Sequence, residues 1–136
     1  MSALVLDSGV LVAVDQGDRT MVMDLRNAQR RGLDLRTNAM VVAQVWRDGR
    51  GRQAVLARLL TGVDVRTVTP ADGKRAGELL KAAGLADAVD ATVALLAGPG
   101  DRILTTDPDD LKRLSDAVGS GAIVVPALQR PRVTAT

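Results

Sequence analysis

Short apolar runs that alternate with helical segments constrain this chain more than any other feature. ALVLD is an apolar run that ends in a polar turn, and SGVLVAVDQG leaves it as a loop or a short helix. RTMVMDLRNAQRRG spaces its apolar residues as a helix does and stops at Gly32. LDLRTN reads as extended; AMVVAQVWRD and RQAVLARLLTG read as two helices split by the breaker GRG. VDVRTVT alternates like a strand, and Pro70 opens the helix PADGKRAGELLKAAG, which ends on glycine. DAVDATVALLA is helical, RILTTD a strand, PDDLKRLSDAV a helix and AIVVPAL a last strand. This alternation predicts an α/β fold with a mainly parallel central sheet flanked by helices. In such sheets ligands gather at the carboxyl ends of the strands, where the strand order switches.

The length of 136 residues suits one domain with a real core. We expect that domain over residues 1–128, followed by a loose tail at 129–136. Hydrophobic residues make up 46% but aromatics only 1%, with Trp46 alone among them, so the core is built from Val, Leu, Ala, Ile and Met. Cysteine and histidine are both absent. That removes thiolate nucleophiles, zinc sites with sulfur or imidazole ligands, and Ser-His-Asp catalysis. Chemistry falls to carboxylates, hydroxyls, amides, Lys and Arg. The apolar start MSALVLDSGVLVAV is interrupted by Asp7 and lacks a basic leading segment, so we expect neither a signal peptide nor a membrane span. A cysteine-free chain is compatible with a reducing compartment, and a cytoplasmic location is expected.

The net charge is only +2, yet Arg is much preferred over Lys. Arg47, Arg50 and Arg52 in WRDGRGRQ suit phosphate, because a guanidinium donates two hydrogen bonds at once. Solvated helix faces are the bland alternative for each of them.

The acids sit where chemistry is expected. Asp7 follows LVL and Asp107 follows ILTT, so both end strands and open onto one crevice if those strands are central and parallel. Asp107 before Pro108, Asp109 and Asp110 also fits a helix N-cap, and Asp7 before Ser-Gly fits a turn. Asp90 lies one turn after Asp87, ahead of residues 91–97, which carry no charge. Carboxylates brought together raise one another's pKa unless a cation is present. An all-oxygen site suits Mg²⁺ or Mn²⁺, and such an ion activates water for phosphodiester cleavage without histidine. Gly9 stands where a haloacid-dehalogenase-type phosphatase needs a second acid. VDVRTVTP and AIVVPAL lack the receiver-domain Asp and Lys. Neither GxGxxG nor a Walker A sequence occurs.

MVVAQVWRD poses a separate question. Gln44 shares a helical face with Met40 and Val41, so its amide is expected to point into apolar surroundings and to need partners there.

Over nearly its whole length the chain resembles PIN-domain nucleases, most closely VapC-type ribonuclease toxins of bacterial toxin–antitoxin pairs. The resemblance rests on LVLDSGVLVAV, NAMVVAQVWRD, DAVDATVALLA and RILTTDPDDLKRL, in that order. It implies a single PIN-like domain in which Asp7, Asp90 and Asp107 hold Mg²⁺ or Mn²⁺, with Asp110 at a further position that is often acidic. Asp87 is an extra acid, a ligand or an outer partner. Thr105 matches a supporting hydroxyl, and Ser8 stands in the same relation to Asp7. Gln44 falls where the family generally carries Glu; it keeps an oxygen but brings no charge and cannot act as a base. The resemblance further implies an RNA substrate, a small antitoxin partner and a homodimer. Two functions follow: a metal-dependent endoribonuclease, or a catalytically weak PIN-like module that binds RNA or an antitoxin.

Overall fold

The predicted strands and helices form in the predicted order. The structure is a computed structural model and describes residues 2–47 and 51–127. The elements are β1 (Ala3–Leu6), α1 (Ser8–Asp15), α2 (Arg19–Arg30), β2 (Asp34–Asn38), α3 (Ala39–Val45), α4 (Ala54–Thr61) and β3 (Asp64–Arg66). They continue as α5 (Pro70–Ala83), α6 (Ala88–Ala94), β4 (Arg102–Thr105), α7 (Pro108–Val118) and β5 (Ile123–Pro126). The expected domain boundary at residue 128 lies outside the described residues. The segment left open after β1 is a helix: Asp7 caps it by accepting from the Val10 amide, and Val10, Leu11 and Val14 turn into the core.

The sheet runs β3-β2-β1-β4-β5, and every pairing is parallel. β1 is central and its four residues are all buried, as an apolar run covered by helices on both faces must be. From β1 the chain builds outward through β2 to β3, then returns to lay β4 on the other side of β1. The strand order therefore switches between β1 and β4, and the crevice expected of such sheets opens at their carboxyl ends. The core is aliphatic: Leu6, Leu11, Leu25, Leu35, Leu56, Ile103, Leu111 and Leu114 are all fully buried. Each contributes about 1.5–3 kcal/mol by leaving water.

The amino ends of the strands are pinned by Asp101. Its Oδ1 accepts from the Ala3 amide at 2.8 Å and its Oδ2 from the Gly98 amide at 2.8 Å. Arg36 on β2 lies 3.7 Å from the same Oδ2 and donates to the Leu96 carbonyl at 3.2 Å. Burial opposes ionisation of Asp101, but the two amides and Arg36 outweigh it and hold the carboxyl below its ordinary value. The helix packed against α6 and α7 is locally specified as well. α5 starts on a Thr69–Asp72 capping box with Pro70 in its first turn, and stops at Gly84, whose φ of 68° is the left-handed conformation glycine adopts freely. Among the described residues no helix is long and apolar enough to cross a membrane.

Candidate active site

Asp7 leaves β1 directly and is buried, 4% exposed. Its Oδ1 accepts from the Val10 amide at 3.3 Å and its Oδ2 accepts from the Thr105 hydroxyl at the end of β4. Thr105 Oγ1 in turn accepts from the Asp107 amide at 2.9 Å. One hydroxyl thus joins the acids that end the two central strands. Burial pushes the Asp7 carboxyl up, more strongly than hydrogen bonds from Thr105 and the Val10, Thr106 and Gly9 amides pull it down.

Asp107 occupies the N-cap position of α7, yet its side chain makes no capping hydrogen bond and is exposed. Capping therefore does not explain it. Asp90, half-buried in the first turn of α6, and Asp110, one turn into α7, meet it across the crevice. Among the described residues, Asp90, Asp107 and Asp110 each offer a carboxylate oxygen, and these atoms lie within 4.8 Å of one another. The Asp90 carboxyl is pushed up to about 7, first by burial and then by the charges of Asp87, Asp7, Asp107 and Asp110. Asp7 thus belongs to the crevice but stands behind the group of three, with both of its oxygens engaged by protein donors. Asp87 is the N-cap of α6, where Oδ1 accepts from the Val89 and Asp90 amides at 3.0 Å each. The expected pairing of Asp87 and Asp90 on one helical face becomes a cap and the residue three positions after it.

Gln44 corrects the sequence reading. It does share the face of Met40, but that face looks outward: Met40 is 44% exposed and Gln44 is exposed, while Val41 and Val45 fill the core. A seven-residue helix lying over the sheet buries one narrow stripe, and Gln44 falls just outside it. Its Oε1 accepts from the hydroxyl of Ser8, the neighbour of Asp7, so the amide stands at the rim of the acidic crevice. Arg47, expected to suit phosphate, is exposed and also bonds to its own helix. Its Nη1 donates to the Ala43 and Trp46 carbonyls and its Nη2 to the Gln44 carbonyl, which satisfies the end of α3. Arg52 is exposed in the turn before α4. Arg50 lies outside the described residues.

Three contributors carry no chemistry of their own and escaped the sequence reading. Asn38 is buried at the end of β2; its Oδ1 accepts from the Met40 and Val41 amides, and its Nδ2 donates to Thr92 Oγ1 at 3.0 Å. That bond ties the start of α3 to α6, the helix that carries Asp90. An Asn ahead of an apolar helical run is a recognisable N-cap signal. Gln53 is the buried glutamine among the described residues, 8% exposed. It accepts from the Arg47 amide and donates to the Val45 carbonyl and to Asp15. At Gly9, a Cβ would overlap the Thr106 side chain, 2.8 Å from Cγ2 and 2.9 Å from Cβ. Only glycine lets α1 approach the loop that carries Asp107 this closely.

No protein-family model matches the sequence, and no curated protein matches it. Among solved structures, a chain of the crystal structure described as VapBC2 from Rickettsia felis bound to a DNA fragment from their promoter superposes with a TM-score of 0.66. The match covers 92% of this chain and 98% of that one, at 13% sequence identity. At that identity the likeness is one of fold, and the chain has the PIN-like α/β fold that its motifs foretold.

Proposed function

We propose that the chain is a metal-dependent endoribonuclease, the toxin component of a toxin–antitoxin pair. The observation that carries this reading is the convergence of Asp90, Asp107 and Asp110 within 4.8 Å at the strand-order switch, with the Asp90 carboxyl raised to about 7. So much negative charge in a half-buried cleft fits a hard divalent cation, and an all-oxygen donor set fits Mg²⁺ or Mn²⁺. Asp90, Asp107 and Asp110 are the residues that would hold the ion. Bound there, it supplies charge neutralisation for a phosphodiester and a nucleophile at neutral pH. Asp7 completes the negative field from behind, oriented by Thr105 and the Val10 amide. Asp87 fixes the first turn of α6 and thereby Asp90. Arg52, with Arg50 outside the described residues, is the candidate for contacts to substrate phosphates. The solved neighbour is described as a VapBC pair on promoter DNA, which supports a small antitoxin as partner; a homodimer and a cytoplasmic location accompany that reading.

One observation favours a second reading, in which the chain binds RNA or an antitoxin without cutting. Gln44 stands where a fourth carboxylate is expected, and it brings no charge to the cleft. The test is incubation of the purified protein with structured and unstructured RNA in Mn²⁺ or EDTA, alongside Asp90→Asn. The nuclease reading expects cleavage that needs Mn²⁺ and that Asp90→Asn lowers by roughly 100-fold or more. RNA retained but never cut by the wild-type protein points to the binding module. Cleavage indifferent to both EDTA and Asp90→Asn removes the site.

A further inference from the structure

We infer that Gln44 serves this crevice as a hydrogen-bond donor to a backbone phosphate of the nucleic-acid substrate, held in that orientation by Ser8. The Ser8 hydroxyl donates to Gln44 Oε1. With the oxygen engaged, the free end of the side chain is its NH₂ group, a donor of two hydrogen bonds. Among the described residues no partner takes the Gln44 Nε2, and the side chain is exposed at the crevice rim. Its position is fixed by two independent links. Ser8 is covalently next to Asp7 and opens α1, and the Asn38–Thr92 bond holds α3 against α6 beside Asp90. An exposed NH₂ group at the rim of a crevice where three carboxylates would hold a cation is open to the anion such a cation would attract, and for RNA that anion is a non-bridging phosphate oxygen. A glutamate at the same position would repel that oxygen; the neutral amide attracts it. Glutamine is therefore suited to this task in its own right and is more than a weakened acid.

The inference rests on the proposed nuclease site for the location of the substrate backbone, and its test is separable from cleavage. Binding of a fluorescent 2′-O-methyl oligoribonucleotide is measured by anisotropy in Ca²⁺, with gels verifying that the probe stays intact. Mn²⁺ affinity is measured by calorimetry without RNA. Gln44→Met keeps the length of the side chain and removes the donors, and Ser8→Ala removes the anchor. Gln44→Met is expected to weaken oligonucleotide binding about ten-fold, as loss of one hydrogen bond to a charged group does, and Ser8→Ala to weaken it by a smaller factor. Gln44→Glu is expected to weaken it at least as much as Gln44→Met. Mn²⁺ affinity is expected to stay within about two-fold of wild type in Gln44→Met and Ser8→Ala. Unchanged oligonucleotide binding in Gln44→Met overturns the inference, as does absence of measurable binding by wild type. A ten-fold fall of Mn²⁺ affinity in Gln44→Met overturns it too, because it would make Gln44 a ligand. Loss of binding in Gln44→Met in a protein that never cleaves RNA leaves the inference standing while the nuclease reading fails.

Discussion

Thr105 is the smallest group on which the crevice depends. Its single hydroxyl donates to the buried Asp7 and accepts from the Asp107 amide, so it orients one acid and holds the backbone of another. Thr105→Val keeps the shape and removes both bonds, leaving a buried carboxylate short of a donor. We expect a loss of about 1–3 kcal/mol in urea unfolding at neutral pH, with Thr105→Ser near wild type. Equal stability of the Val and Thr proteins would show that Asp7 finds another donor. Spacing put Asp7 and Asp107 at strand ends and Asp90 ahead of an uncharged helical run, whereas Asp110 and Thr105 were pointed to only by the resemblance of RILTTDPDDLKRL to a family motif. Gln44 was only half legible. Spacing identified its face but not whether that face is covered, since coverage depends on which neighbouring helix lies where. The buried glutamine with satisfied partners exists, but it is Gln53, in the turn before α4.

At the scale of elements, turn chemistry and hydrophobic spacing foretold the strands and most of the helices, because each carries its own start or stop signal. For α1 the expectation was a loop or a short helix; the cap from Asp7 and the packing of Val10, Leu11 and Val14 make it a helix. The helix expected over DAVDATVALLA is shorter, Ala88–Ala94: Asp87 caps it from outside the first turn, and it ends at the C-cap Leu95. What no local pattern announced is the clasp between elements. Asp101 holds the starts of β1 and β4 through the Ala3 and Gly98 amides, a contact across most of the chain. Asp101→Asn is expected to lower stability by about 1 kcal/mol at neutral pH. Because the carboxyl is held below its ordinary value of 3.8, that advantage is complete above this value and is lost as pH falls further. Thermal unfolding of both proteins between about pH 3 and 7 should therefore show Tm values that converge at the acid end; a constant gap would count against an ionised clasp.

For the molecule as a whole, the crevice acids act in the opposite sense. Asp90 holds its proton up to about 7 in the metal-free fold, against an ordinary 3.8. The native chain thus binds more protons than the unfolded chain between these values. The Asp90 contribution to stability falls as pH rises from about 4 to about 7, and is level above that. Asp7, also raised, adds in the same direction. A cation must displace the Asp90 proton, so Mn²⁺ affinity is expected to climb up to about ten-fold per pH unit below about 7 and to flatten above it. Calorimetry in buffers of different ionisation enthalpy should count close to one proton released per ion at about pH 6 and few at about pH 8. Affinity that ignores pH over this span would remove Asp90 from the ligand set. The sheet order carries a last consequence, for the order of synthesis. Asp7 and its Thr105 partner are 98 positions apart, and β1 remains without its second neighbour until β4 arrives. A ribosome making this chain exposes the amino-terminal half first. Asp7 is present then, but Asp90, Asp107 and Asp110 are not, so a nascent or truncated chain holds no metal pocket. If the protein cuts RNA, the codons through Asp110 have been read before the blade exists.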